Sequence, residues 1–142
     1  MSSLTHIPVR DVMQKSIVTI SASETLSTVE DIMTLGQVRH IPVVQAGRLV
    51  GVVSHRDLLR ASLSNLLDHG DDERRLFLHA VEIARVMSTP PVVVSQDDTV
   101  GDAALIMAER KIGCLPVLQR EELVGMITET DILHLVAGIL PV

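Results

Sequence analysis

The sequence predicts an α/β (α+β) fold made of two tandem copies of one strand–helix–strand–strand–helix unit. Three observations lead there. A shift of 74 residues lays 12–59 on 86–133 without a gap, with 15 identities in 48 positions; chance at this composition gives roughly 4. Each copy then alternates short apolar runs with stretches of helical apolar spacing. The apolar material is aliphatic: 46% of the 142 residues are hydrophobic, and Phe77 is the one aromatic residue. A copy of about 50 residues buries too little surface to be stable alone. The two copies are expected to pack as one pseudo-symmetric domain.

The elements follow in order. Val18-Thr19-Ile20 and Val92-Val93-Val94 read as first strands, the second preceded by Pro90-Pro91, which favour an extended entry. Leu26, Val29, Ile32, Met33 and Gly36 keep helical spacing, as do Val100, Ala103, Ala104, Ile106 and Met107. Gly36 and Gly113 fall where a helix C-cap or the turn after it is expected. HIPVV (40–44) and CLPVL (114–118) read as buried strands, QAGR and QREE as polar turns, and LVGVVS (49–54) and LVGMIT (123–128) as third strands. A helix begins near Arg56 and Thr130. Residues 62–82 have no counterpart. Ser62–Leu67 should extend the preceding helix, DHGDD (68–72) should break it, and ERRLFLHAVEIARVM (73–87) reads as a helix with Leu76, Val81 and Ile83 on or near one face. The simplest role for this connector is to cover the core.

Composition excludes several functions. The net charge of −6 disfavours nucleic acid, whose phosphates need a basic face, and one aromatic residue cannot build a base-stacking platform. No run of 18 apolar residues is present, so no membrane span is expected. The first residues lack the apolar core of a secretory signal, and a cytoplasmic protein is the expectation. Cys114, the single cysteine, cannot form an internal disulfide and reads as a small buried hydrophobe. The six histidines show no paired ligand spacing, so no metal is expected. No nucleophile, base and orienting group can be assembled, nor a phosphate loop, so no enzyme and no catalytic cofactor is expected.

The informative string is Gly51-Val-Val-Ser54-His55-Arg56-Asp57, repeated as Gly125-Met-Ile-Thr128-Glu129-Thr130-Asp131. It reads as a strand entering a helix. Ser54 and Thr128 fall at the N-cap, with Asp57 and Asp131 three residues on, the spacing of a capping box. Capping alone accounts for a hydroxyl and a carboxylate there. The same corner also suits a ligand: free N–H groups attract phosphate, and a carboxylate one turn on can accept both vicinal hydroxyls of a ribose.

These residues resemble the cystathionine-β-synthase-type (CBS) domain pair, or Bateman module, over about residues 9–136. The resemblance rests on the Val-x-x-Val-Met entry, the HIPVV and CLPVL strands, and the LVG-x-x-[Ser/Thr]-x-x-Asp corner of each copy. It implies a first motif at 9–61, a helical connector at 62–82 and a second motif at 83–138, together one CBS-pair domain packed through its sheets. It implies clefts between the repeats for adenosine-containing ligands. Ser54 with Asp57, and Thr128 with Asp131, would contact ribose and phosphate. The adenine slot would involve Thr19, Ile20, Ile41 and Pro42, and Val93, Val94, Leu115 and Pro116. Cations are uneven: Arg39, His40, His55 and Arg56 surround the first corner, whereas Cys114, Glu129 and Thr130 stand at the matching second positions.

The resulting expectation is a stand-alone regulatory protein that binds AMP or ATP, senses energy or metabolite state, forms a flat disc-like homodimer and acts on an unidentified partner protein. The rival expectation is an interaction or dimerisation module whose ligand is S-adenosylmethionine, a dinucleotide, Mg²⁺ or nothing.

Overall fold

The computed structural model describes residues 2–63 and 71–139. In chain order the elements are α1 (Ser2–Thr5), β1 (Ile20–Ser21), α2 (Leu26–Gly36), β2 (His40–Gln45), β3 (Arg48–Ser54), α3 (His55–Leu63), α4 (Asp71–Ala80), β4 (Val94–Ser95), α5 (Val100–Arg110), β5 (Cys114–Gln119), β6 (Glu122–Thr128) and α6 (Glu129–Val136). Single 3-10 turns occupy Val9–Asp11 and Ile83–Arg85. The mixed fold and its duplication are as the sequence predicts.

The chain forms two compact units, one of Val18–Pro91 and one of the residues up to Ile17 together with those from Val92 onward. In the first, β1 runs parallel to β2, which pairs antiparallel with β3. Helices α2, α3 and α4 complete it. Its core gathers Leu26, Val29 and Met33 from α2, Ile41 and Val43 from β2, Val53 from β3, Leu58 from α3 and Leu78 from α4. The second unit repeats the arrangement with β4, β5 and β6. Its core gathers Val100, Ala103 and Met107 from α5, Leu115 and Val117 from β5, and Ile127 from β6.

The entry segments join these units in an order that the repeats do not suggest. Residues 7–14 belong with the second copy. Val100 N donates to Ile7 O at 2.8 Å, Val9 N to Asp98 O at 2.7 Å, and Gln14 and Met126 exchange both backbone bonds. Residues 81–88 do the same for the first copy. Leu26 N donates to Val81 O at 3.0 Å, Ile83 N to Glu24 O at 2.8 Å, and Ser88 and Val52 exchange both bonds. Each entry thus supplies hydrogen-bond partners to a sheet built from the other copy's sequence.

Several local expectations are corrected. The first strands are Ile20–Ser21 and Val94–Ser95, so Val18-Thr19 and Val92-Val93 stand outside them. Only two residues of each find partners on the neighbouring strand, whatever the β propensity of those before. Gly113 lies in the turn between α5 and β5, as expected, but neither it nor Gly36 supplies the left-handed cap: Gln37 (φ 53°) and Lys111 (φ 56°) do. A non-glycine residue there costs about 1 kcal/mol, and the buried helix and strand on either side fix the turn. The helix expected at 73–87 ends at Ala80, because Val81, Glu82 and Ile83 turn their backbone groups to residues 24–26. Leu76 is 68% exposed, and Leu78 holds the core position instead. The expected break at DHGDD lies partly outside the described residues, as does the helical continuation beyond Leu63.

Helix α4 is fixed to α2 by charge as well as by Leu78. Glu30 takes Arg74 and Arg75, the latter at 2.6 Å, and Arg75 also reaches Asp31 at 3.5 Å. Burial alone would raise the Glu30 pKa, but the hydrogen bonds and charges of both arginines outweigh it and hold it below the ordinary value. A carboxylate with a depressed folded pKa stabilises above its unfolded pKa and loses that contribution as the pH falls. Glu30→Gln should therefore cost about 1–2 kcal/mol at neutral pH. Urea denaturation should show that gap closing below about pH 4. An equal gap at both pH values would mean the charge of Glu30 is irrelevant to docking.

Candidate functional site

Each sheet ends in a corner built by its own sequence. In the first, β3 delivers Ser54 to the start of α3, and the register sets His40 of β2 opposite Ser54. His55 N donates to Arg39 O at 2.7 Å, which ties the α2–β2 turn to the helix start. Ser54 N donates to Asp57 Oδ2 at 2.8 Å, and Asp57 N donates to Ser54 Oγ at 3.1 Å. This is the reciprocal box its spacing predicts, with Asp in the place of the commoner Glu. The second corner repeats it: Thr128 N donates to Asp131 Oδ2 at 2.8 Å, and Asp131 N to Thr128 Oγ1 at 3.2 Å. Glu129 N donates to Gly113 O at 3.0 Å, the counterpart of the tie from His55.

Capping consumes one carboxylate oxygen in each corner. It also fixes the rotamer, so the aspartate is held in place by the fold itself. In the first corner Asp57 Oδ1 accepts no hydrogen bond among the described residues, and the Ser54 hydroxyl proton is uncommitted there. In the second, Thr128 Oγ1 donates to Asp131 Oδ2 at 3.0 Å, and Gln14 Nε2 lies 3.0 Å from Oδ1 and 3.3 Å from Oδ2. Sequence reasoning missed Gln14. Its counterpart is Ser88, so the repeat carries no signal for it; only the bridge from Gln14 to Met126 brings it to the corner.

The remaining expected residues divide by burial. Ile20 and Ile41 lie in the core of the first unit, and Val94 and Leu115 in that of the second. Pro42 and Pro116 are buried on the opposite strand faces, by alternation along β2 and β5. Thr19 is exposed and Val93 half-buried, each just before its strand. His55 is half-buried, whereas Arg39, Arg56 and Thr130 are exposed. Arg39 and His55 also line a cavity of about 510 Å³ between α2, α3 and α4, together with Glu30 and Arg74. That volume lies in the range of small-molecule sites. Cys114 is buried opposite Thr128, and its thiol is pushed up to about 12, first by burial and then by the charge of Asp131. It stays protonated at neutral pH and is no nucleophile. Among the described residues no cluster of three or more His, Cys, Asp or Glu could hold a metal ion, and no helix is long and apolar enough to cross a membrane.

Comparison with known proteins finds the same pattern. The family model described as "CBS domain" matches twice, at residues 9–64 and 83–138. A CBS domain-containing protein of Dictyostelium discoideum is 31% identical over 134 residues, covering 93% of this chain and 92% of its own. Three other curated relatives are longer, and the chain spans 22–43% of their length. Among solved structures, CBSX2 in complex with AMP superposes with a TM-score of 0.78 at 24% identity, over 94% of this chain and 98% of that one. The CBS domain pair of protein MJ0100, in complex with 5-methylthioadenosine and S-adenosyl-L-methionine, gives 0.79 at 23% identity, over 92% and 96%. At those identities the two structures establish a shared fold.

Proposed function

This chain belongs to the CBS domain family, and we propose that it is a cytoplasmic regulatory protein that binds an adenosine nucleotide, AMP or ATP, at its Ser/Thr-x-x-Asp corners. The observation that carries the reading is the duplicated corner, with a carboxylate oriented by its own capping box and Asp57 keeping an oxygen uncommitted among the described residues. Two vicinal hydroxyls suit such an acceptor. Arg39, His40, His55 and Arg56 would serve the phosphates of the first corner. Thr19 with Pro42, and Val93 with Pro116, would offer surface to the base; Ile20, Ile41, Val94 and Leu115 would support those segments from within the cores. The AMP complex of a structure sharing this fold supports the ligand class, and the S-adenosylmethionine complex of another supports the alternative within it.

The role is regulatory and not catalytic. The matched motifs occupy 9–64 and 83–138, and in longer relatives the same region is a fraction of the protein. A ligand would act by favouring the arrangement of the chain that binds it better, and only by that difference in affinity. The output would reach a partner protein or a second copy. Exposed Leu35 and Leu59 on α2 and α3, and exposed Leu105, Leu133 and Val136 on α5 and α6, support a homodimer.

The test is calorimetry and thermal unfolding with AMP, ATP and S-adenosylmethionine, alongside light scattering. A dissociation constant on the order of 10 μM to 1 mM is expected for AMP or ATP. At 100 times that value the ligand adds about 2.7 kcal/mol of stability. No heat and no stabilisation with any adenosine compound would refute the ligand. A mass of 15.4 kDa with and without ligand would refute the dimer.

A further inference from the structure

The two corners share a backbone but differ in what already occupies their polar groups. Around Asp131 the internal partners are complete. Oδ2 accepts from Thr128 N and from the Thr128 hydroxyl. Oδ1 takes Gln14 Nε2 at 3.0 Å, and the same nitrogen lies 3.3 Å from Oδ2. A carboxylate only accepts, so the amide nitrogen is the end of Gln14 that must face it. This N–H₂ spans the carboxylate where two sugar hydroxyls would donate. Around Asp57 the position matching Gln14 is Ser88, which makes the same backbone bridge, to Val52, but carries a short side chain. Among the described residues no side chain reaches Asp57 Oδ1. The corners thus differ at two groups, the Thr128 hydroxyl and the Gln14 amide, while the capping bonds they share agree within 0.1 Å. Of the two, Gln14 is the one that covers Oδ1.

We propose that the Gln14 carboxamide competes internally for the ribose-binding face of Asp131, making that corner the weaker of the two and filling it after the Asp57 corner. This inference rests on the adenosine reading of the corners. The Gln14–Asp131 contact is solvent-exposed, so a ligand can displace it at modest cost. The device is a side chain holding the place of a sugar, and its strength adds to the gap between the two affinities. Gln14 is a specificity-determining residue here and contributes no bond to the ligand.

The experiment is titration with AMP in chains that each keep one intact corner. In an Asp57→Asn background, AMP reports on the Asp131 corner. Adding Gln14→Ser, the residue of the other copy, should tighten binding roughly 3- to 10-fold, the loss of one exposed competing hydrogen bond. In an Asp131→Asn background, adding Ser88→Gln should install the competitor over Asp57 and weaken AMP by a similar factor. Both substitutions keep the backbone bridges to Met126 and Val52, and circular dichroism checks the fold. Gln14→Ser that leaves affinity unchanged overturns the inference alone, while AMP binding itself stands. Gln14→Ser that weakens AMP also overturns it, because Gln14 then contacts the ligand. Absence of AMP binding by the unsubstituted chain overturns the adenosine reading and this inference with it.

Discussion

Asp57→Asn is expected to lower AMP affinity at its corner roughly 10- to 100-fold while costing no more than about 1 kcal/mol of stability. The geometry separates the two effects. Asp57 Oδ2 accepts from Ser54 N at 2.8 Å, and an asparagine oxygen can take that place with little movement. The capping box therefore persists, weakened by the loss of charge near the helix start. The other oxygen becomes an amide nitrogen. It would then point donors at ribose hydroxyls, where an ionised acceptor is required. Hydrogen bonds to a charged group are worth about 1.5–3 kcal/mol each, enough for the fall expected. Asp131→Asn should act on the second corner in the same way. Calorimetry and urea denaturation on the same samples make the check. Unchanged nucleotide affinity in both variants, each folded, would reduce these aspartates to helix caps.

The largest effect on stability is expected from Gly51→Ala and Gly125→Ala. A Cβ on Gly51 would lie 2.7 Å from Met87 Sδ and 2.8 Å from the carbonyl oxygen of Ser88. On Gly125 it would lie 2.6 Å from the carbonyl oxygen of Gln14 and 2.7 Å from Met13 Sδ. The methionines can move aside, since their side chains are unbranched and flexible. The carbonyls cannot move alone, because Ser88 O accepts from Val52 N at 3.1 Å and Gln14 O from Met126 N at 3.0 Å. Relief requires breaking those bridges or shifting a strand, and overpacking of this kind costs about 1–3 kcal/mol. Each variant should lose that much by urea denaturation, with the slope of the transition unchanged. A loss below about 0.5 kcal/mol would mean that the entry segments sit loosely on their strands.

Local chemistry was legible in the sequence to the extent that local chemistry decides the structure. The hairpins needed only an apolar run, a polar turn and a second run. The corners needed only a hydroxyl and a carboxylate three residues apart. Helices α2 and α5 declared themselves through Leu26, Val29, Met33 and Val100, Ala103, Met107. The misses share another cause. Val18 and Thr19 have strand propensity, but among the described residues no strand pairs with them. Gln37 and Lys111 take a conformation that glycine prefers, because packing on either side of the turn overrides preference. Leu78 is fully buried and Leu76 exposed, a rotation of α4 that its apolar pattern alone could not choose. Gln14 reached the candidate site across 117 residues of chain, through a bridge that no spacing rule foretells.

The exchanged entry segments also bear on how the polypeptide matures during synthesis. Contacts in the Val18–Pro91 unit include pairs separated by 44 and 52 residues, as in Arg74–Glu30 and Ser27–His79. In the other unit Arg10 meets Asp97 across 87 residues, and Gln14 meets Asp131 across 117. Distant pairings close slowly, because a longer loop must be ordered before the contact rewards it. On a ribosome delivering the chain from its N-terminus, the first unit can finish while the second copy is still being translated. The segment Ile7–Gln14 must wait for residues 96–100 and, at Gln14, for β6. Gene fragments cut at the boundaries of the sequence repeat would therefore separate each sheet from the strand-like segment that closes it.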